Sequence, residues 1–122
     1  MRRIREIHIW REIPIALDEW LAEVSDAREW DRHTIRLGRI PSTGMTVPIG
    51  GTPGYVWWMG HSSRDLIAFE FLDGEIRVGS ADEETFKRMR EIAGRLRAHL
   101  GNRKGDPILD SHFRLLASSH RR

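Results

Sequence analysis

Apolar and polar residues follow two different periods along this chain, and the period changes from one stretch to the next. Residues 4–10 alternate between apolar and polar side chains, which predicts a strand with two distinct faces. In residues 16–24 the apolar side chains recur three or four positions apart, which predicts an amphipathic helix. Asp18 and Glu19 lie in the first turn of that helix, where the helix dipole favours negative charge.

The middle of the chain is rich in β-branched and aromatic residues, which favour strands. Pro48 indicates an edge or irregular strand, because proline cannot donate a backbone hydrogen bond to a neighbour. Asp73-Gly74 is the strongest hairpin signal in the chain, since both residues tolerate the backbone of a tight turn. The pattern predicts a weak strand at 34–37 and further strands at 45–49, 55–59, 66–72 and 75–79.

The best-defined predicted element is a second amphipathic helix. Ser80 and Glu83 have the spacing of a capping box, in which each side chain bonds the backbone N–H of the other residue. Gly101 is placed to be the first residue beyond the helix, which would then have about five turns. Its apolar stripe consists of Phe86, Met89, Ile92, Ala93, Leu96 and Leu100.

Together these elements predict a single α+β domain over residues 1–101. We expect an antiparallel or mixed sheet of about five strands with two main helices packed on it, in the order β-α-β-β-β-β-α. Residues 102–122 are expected to form a basic C-terminal extension, in which Leu109, Phe113 and Leu116 indicate a short helix.

Length and composition fit one globular domain, because the 122 residues are 39% hydrophobic and 31% charged. The chain has no cysteine, which excludes a disulfide framework, a thiolate metal site and a cysteine nucleophile. No apolar run is long enough to span a bilayer, and the basic N-terminus is not followed by the apolar stretch of a signal peptide. We therefore expect a cytoplasmic protein without a membrane segment, a cofactor or a metal.

Charge is unevenly distributed. Residues 1–86 hold ten Lys and Arg against fifteen Asp and Glu, a net charge of −5, whereas residues 87–122 hold ten against three, a net charge of +7. Either the basic residues simply solvate the second helix, or residues 87–104 form a face that contacts nucleic acid. No RNP, KH or zinc-finger signature is present, so nucleic-acid binding is the alternative hypothesis.

Six histidines raise the question of metal or acid–base chemistry. No two of them have the spacing of a metal-binding pair on one helix. Asp31 with His33, and His61 with Asp65, are close in sequence, and a carboxylate can tune a histidine that acts as a general base. Ordinary surface residues give the same pattern, so a small hydrolase is a further alternative and no catalytic residue is assigned.

Trp57 and Trp58 are adjacent in a predicted strand, so their side chains are expected on opposite faces. Either the outward indole anchors a partner, because tryptophan is frequent in interface hot spots, or a helix covers the second face, or the pair lies on a central strand. Trp10 presents the same alternatives. For a partner-binding surface we expect apolar anchors and a polar rim formed by Trp57, Trp58, Trp10, Tyr55, Arg64 and Asp65.

Two segments resemble a group of small bacterial immunity-like or accessory proteins. Residues 13–21 follow the opening strand and contain a helix start of the form I-x-L-x-E-W-L. Residues 87–98 are similar to the group's closing helix, which has the form K-M-x-x-I-A-x-x-L-x-A. Residues 101–106 depart from the group, because they are basic where its members have an acidic stretch. The resemblance implies a partner-binding protein rather than an enzyme.

The leading hypothesis is therefore a non-enzymatic protein-binding domain, most concretely an immunity or accessory protein that binds and neutralises a cognate bacterial toxin or effector. The chain itself is then a monomer or a homodimer. Inhibitors of cationic toxins are expected to be acidic, whereas this sequence has a pI of about 9.6. A partner would thus have to be acidic itself, or contact the acidic residues 1–86.

Overall fold

The computed structural model of the protein describes residues 3–102. In chain order the elements are β1 (Ile4–Trp10), α1 (Leu17–Glu23), β2 (Trp30–Asp31), β3 (Arg36–Arg39), β4 (Thr46–Ile49), β5 (Tyr55–Trp58), β6 (Ile67–Leu72), β7 (Glu75–Ala81), α2 (Glu83–Leu96) and β8 (His99–Gly101). The predicted short helix around Leu109, Phe113 and Leu116 lies outside the described residues.

A six-stranded sheet with the strand order β2-β5-β6-β7-β1-β8 forms the centre of the fold, and all its neighbouring strands are antiparallel. β3 and β4 form a separate two-stranded sheet, here called the β3–β4 hairpin. The predicted α+β class, with an antiparallel sheet and two helices, is confirmed. The pattern missed β2 and β8, because strands of two or three residues are too short to show alternation.

One face of the six-stranded sheet carries the hydrophobic core, which includes buried side chains of both helices. Trp20 of α1 is fully buried and donates its indole N–H to the carbonyl of Gly54 at 2.9 Å, so its polar atom is satisfied within the core. The core consists largely of Ile7, Ile9, Trp20, Val56, Trp58, Phe69, Ile76, Val78, Phe86, Met89 and Ile92.

The turn between β6 and β7 forms as the sequence predicts. Asp73 and Gly74 both have positive φ, 51° and 78°, which matches the type I′ turn that favours an Asp-Gly pair. This turn sets the register of the two strands, so that Glu70 pairs with Arg77 and Leu72 with Glu75.

Both ends of α2 differ from their prediction. Asp82 rather than Ser80 is the N-cap, since its carboxylate accepts the backbone N–H of Thr85 at 2.9 Å. The helix ends at Arg97, whose φ of 53° is left-handed, and Gly101 belongs to β8. The chain leaves the helix early because β8 can pair with β1, while Leu100 still packs against the core from a strand.

Among residues 3–102, no helix is both long enough and apolar enough to cross a bilayer.

Candidate functional site

The two adjacent tryptophans of β5 are both buried, each with 5% exposure. Trp58 lies on the core face, whereas Trp57 lies on the opposite, outer face of the sheet. There the segment leading into the β3–β4 hairpin covers it: the Trp57 indole N–H donates to the Thr34 carbonyl at 2.8 Å, and the Arg36 guanidinium lies 5.3 Å from the ring centroid. The second face is therefore covered, but by this segment and not by the helix that was one of the expected alternatives.

The β3–β4 hairpin presents its other side to solvent. Since Arg36 faces Trp57, alternation along the strand directs Leu37 and Arg39 away from the sheet, and Leu37 pairs with Pro48 across the hairpin. Ile35 and Leu37 are 56% and 76% exposed. We name this side the outer hairpin surface, and it consists of Ile35, Leu37, Arg39, Thr46 and Pro48, all of them exposed.

The other predicted anchors do not join into one surface. Trp10 and Tyr55 lie on strands that are separated by β6 and β7, which places them about 14 Å apart at the usual strand spacing. Trp10 is half-buried with its ring centroid 4.9 Å from that of His99, and Tyr55 lies 5.3 Å from Trp57. Trp58 is on the opposite face from Trp57 and contributes to the core.

A row of polar side chains crosses the outer face of the sheet, and the sequence reasoning missed it. Successive strand pairs align Tyr55 with Glu70, Glu70 with Arg77 and Arg77 with His8. Arg77 and Glu70 form an ion pair at 3.0 Å. Burial, and then the nearby Glu70 charge, raise the pKa of Tyr55. The Asp73-Gly74 turn is the sequence signal that could have predicted part of this row, because the turn sets the pairing of Glu70 with Arg77. Such cross-strand pairs stabilise a sheet.

A second polar cluster joins the loop after β5 to the start of α2. His61 Nε2 lies 2.7 Å from Asp82 Oδ2, and both side chains are almost completely buried. The Ser63 backbone N–H donates to His61 Nδ1 at 3.0 Å, so the ring proton is on Nε2 and is donated to Asp82. Burial would raise the pKa of Asp82, but hydrogen bonds from Thr85 and His61 outweigh it and lower the pKa.

Ser63 completes a serine–histidine–aspartate chain, which is the connectivity of an activated nucleophile. Its hydroxyl lies 2.7 Å from His61 Nδ1, and the residue is exposed. The hydroxyl also lies 3.1 Å from Asp65 Oδ2, a second acceptor that competes for the same proton. Sequence reasoning placed Asp65 near His61 but had no signal for Ser63 or Asp82.

The backbone N–H groups of residues 62–65 all donate hydrogen bonds within this cluster. Ser62 N–H donates to Glu84, Ser63 N–H to the His61 ring, Arg64 N–H to the His61 carbonyl and Asp65 N–H to the Ser63 hydroxyl. An oxyanion hole needs backbone or side-chain donors that are free to bind the developing charge. The cluster therefore fits a brace between the loop and α2 better than an acyl-transfer site. Arg64 itself is exposed and has a left-handed φ of 65°.

Asp31 and His33 line an open cavity of about 560 Å³ together with Ser25, Ala27, Trp30, Arg32 and Met59. Asp31 accepts hydrogen bonds from the Thr34 hydroxyl and from the backbone N–H groups of His33 and Thr34. These bonds, that of the Thr34 hydroxyl first, lower the pKa of Asp31. A carboxylate engaged in this way stabilises the turn and is a poor general base.

Basic side chains of α2 are partly neutralised by the fold. Arg88 pairs with Glu29 at 2.5 Å and lies 5.5 Å from the Trp30 ring centroid, while Arg95 pairs with Glu23 at 3.1 Å. These pairings reduce the positive charge that the predicted nucleic-acid face of residues 87–104 can offer. Residues 103 and 104 of that face lie outside the described part of the chain.

Within residues 3–102, no group of three or more histidine, aspartate or glutamate side chains is arranged to hold a metal ion. The chain matches no protein-family model, no curated protein and no solved structure. Inference about function therefore rests on the chain's own surfaces.

Proposed function

We propose that this chain is a protein-binding domain whose partner contacts the outer hairpin surface. The observation that carries the proposal is the exposure of Ile35 and Leu37, at 56% and 76%, next to each other on one side of a hairpin. Met45, near the hairpin turn, is 60% exposed. Single exposed apolar residues are normal, but neighbouring ones on one projecting element are typical of an interaction site.

The free energy available there is sufficient for an interface core. Fully burying an isoleucine or leucine side chain contributes about 2 kcal/mol, and part of each is already covered. Burying Ile35 and Leu37 against a partner would thus contribute roughly 3 kcal/mol, a substantial part of the ~8 kcal/mol of a micromolar complex. The surrounding residues, Pro48 among them, would supply the remaining contact area.

The hairpin is held firmly enough to present this surface in one orientation. Two contacts hold its open end: the Trp57 indole N–H donates to the Thr34 carbonyl, and Gly50 lies against the same carbonyl. Gly50 has a φ of 100°, and a Cβ there would lie 2.7 Å from the Thr34 oxygen, so only glycine permits this close packing. A fixed hairpin reduces the entropy lost on binding.

The narrower form of the proposal is a non-enzymatic cytoplasmic immunity or accessory protein that binds and neutralises a cognate bacterial toxin or effector. It is supported by the resemblance of residues 13–21 and 87–98 to small proteins of that type. The outer hairpin surface includes neither segment, so the identity of the partner and the surface that it contacts are separate parts of the proposal.

Replacement of Leu37 by aspartate tests the proposal, with Leu72→Asp as the matched control. Leu72 is also exposed, at 50%, but lies at the end of β6. Tagged proteins would be recovered from native host cells, and retained proteins identified by mass spectrometry. We expect the wild type and Leu72→Asp to retain the same stoichiometric partner and Leu37→Asp to lose it, with unchanged circular dichroism. An empty wild-type eluate, equal retention by all three, or salt-labile nucleic acid alone would contradict the proposal.

The hydrogen-bonded side chains of Ser63, His61 and Asp82 favour a small hydrolase as a second candidate. If Ser63 is a nucleophile, a fluorophosphonate probe should label it, and hydrolysis of p-nitrophenyl esters should require both Ser63 and His61. Because Asp65 competes for the hydroxyl proton, Asp65→Asn would then increase the labelling rate. Absence of labelling at micromolar protein and millimolar probe would remove this candidate.

A further inference from the structure

The charged residue of the outer hairpin surface is Arg39, and a second arginine, Arg36, lies on the opposite side of β3. Between Asp31 and Asp65 the chain contains four arginines and no acidic residue. Two of these arginines, Arg36 and Arg39, belong to β3, and both are exposed. The ion pairs of residues 3–102 do not include either of them. The exposed apolar residues of this surface thus lie beside one exposed arginine that forms no ion pair, Arg39, with the charge of Arg36 at the base of the hairpin.

We infer that the partner of this surface is a protein whose own docking surface has an acidic residue beside an apolar centre. This inference rests on the proposed function and specifies its partner. Arg39 lies on the same side as Leu37, two positions along the strand, so a group that covers Leu37 comes within reach of its guanidinium. Arg36 is held at the other side of β3 by its position 5.3 Å from the Trp57 ring centroid, so its charge stays at the base of the hairpin.

A protein partner fits better than the two other anionic surfaces. Lipid-binding basic clusters contain about four to eight Lys or Arg residues, whereas this hairpin has Arg36 and Arg39. Single-stranded nucleic acids are bound by stacking bases on aromatic side chains, and the exposed apolar residues here are Ile35 and Leu37. An acidic protein surface satisfies both the apolar and the basic parts of the hairpin.

The experiment uses a photo-crosslinking residue in native host cells. Leu37→p-benzoylphenylalanine is compared with the same replacement at Leu72, first in the wild-type background. We expect one discrete protein adduct from position 37 and none from position 72. The adduct yield is then measured with Arg39→Glu, with Arg39→Lys, and with Arg28→Glu, an arginine whose side chain is 92% exposed elsewhere.

Charge reversal of Arg39 should lower the adduct yield roughly fivefold, while Arg39→Lys and Arg28→Glu leave it within about twofold. An adduct that resists charge reversal would overturn the acidic partner but leave the proposed function intact. No adduct from position 37 would overturn both. Purified protein is also mixed with phosphatidylcholine vesicles with and without phosphatidylserine, the kind of anionic lipid that gives a cytoplasmic leaflet its negative surface potential. Co-sedimentation that needs phosphatidylserine, or nucleic acid as the crosslinked species, would overturn the protein partner.

Discussion

Asp82 connects two parts of the molecule, because one carboxylate oxygen caps α2 and the other accepts the ring N–H of His61, 21 residues away. Asparagine at this position keeps the cap, since asparagine and aspartate are equally good N-caps. It replaces the second acceptor with an amide N–H, which then faces the N–H of His61. Moving the ring proton to Nδ1 gives no relief, because that nitrogen faces the backbone N–H of Ser63.

The expected costs follow from this geometry. A buried hydrogen bond to a charged group contributes about 1.5–3 kcal/mol, so Asp82→Asn should lower the free energy of unfolding by about 2 kcal/mol. Asp82→Ala also removes the cap, which adds about 1 kcal/mol, for a total of about 3 kcal/mol. Ser80→Ala, at the cap position that the sequence pattern predicts, should cost less than about 0.5 kcal/mol.

The effect of Asp82 also has a defined pH dependence. Burial opposes ionisation, but the bonds from Thr85 and His61 outweigh it, so the pKa of Asp82 is lowered in the folded state. A carboxyl group with a lowered folded-state pKa adds stability above its unfolded pKa, about 3.9, and loses it as the pH falls through the folded value. The difference between wild type and Asp82→Ala should therefore be complete near neutral pH and decrease only below about pH 4.

Urea unfolding followed by tryptophan fluorescence at pH 7 measures these differences, and a double-mutant cycle with His61→Ala isolates the bond between the two side chains. A cost for Asp82→Asn below about 0.5 kcal/mol would show that His61 does not donate to Asp82. A cost for Ser80→Ala equal to that of Asp82→Ala would refute the capping assignment.

Three further substitutions test the packing that presents the hairpin and closes the sheet. Trp57→Phe removes the hydrogen bond to the Thr34 carbonyl and should lower the free energy of unfolding by about 1 kcal/mol. Amide exchange should become faster in residues 36–49 but not in β6, and exchange rates in residues 36–49 equal to those of the wild type would contradict this. Gly74→Ala places a Cβ 2.5 Å from Pro14 Cβ at a φ of 78°, so urea unfolding should show a loss of about 2 kcal/mol rather than none. Arg97→Gly relieves a left-handed φ of 53° and should add about 0.5–1 kcal/mol to the unfolding free energy; a loss would show that the Arg97 side chain itself contributes.

Some elements have the bounds that the sequence predicts and others do not, for identifiable reasons. β1 has the predicted bounds and α1 lies within one residue of its predicted ends, because each has a clear period over seven residues. The end of α2 was wrong, because Leu100 fits an apolar stripe equally well from a helix or from β8. Ser80 satisfied the capping pattern, but pairing with β1 holds it in β7.

The candidate site was less predictable than the fold. The sequence indicated that Trp57 and Trp58 face opposite sides, but not that the β3–β4 hairpin buries the outer one. The exposed apolar residues are therefore Ile35 and Leu37, which belong to no sequence motif, and not the expected tryptophans of β5. The sequence suggests Asp65 as the partner of His61. The carboxylate that holds the His61 ring is that of Asp82, which only folding brings close to it.

By itself, the sequence determined the features that act within a few residues: the alternation of β1, the stripe of α1 and the turn at Asp73-Gly74. It also determined that the chain has no cysteine chemistry. Only the tertiary structure decided which faces are covered, which charges are paired and which polar groups meet. Those outcomes depend on contacts between residues that are distant in the chain, as when Trp57 meets Thr34 or His61 meets Asp82. Periodicity and turn chemistry hold no information about such contacts, because their free energy appears only when separate elements pack together.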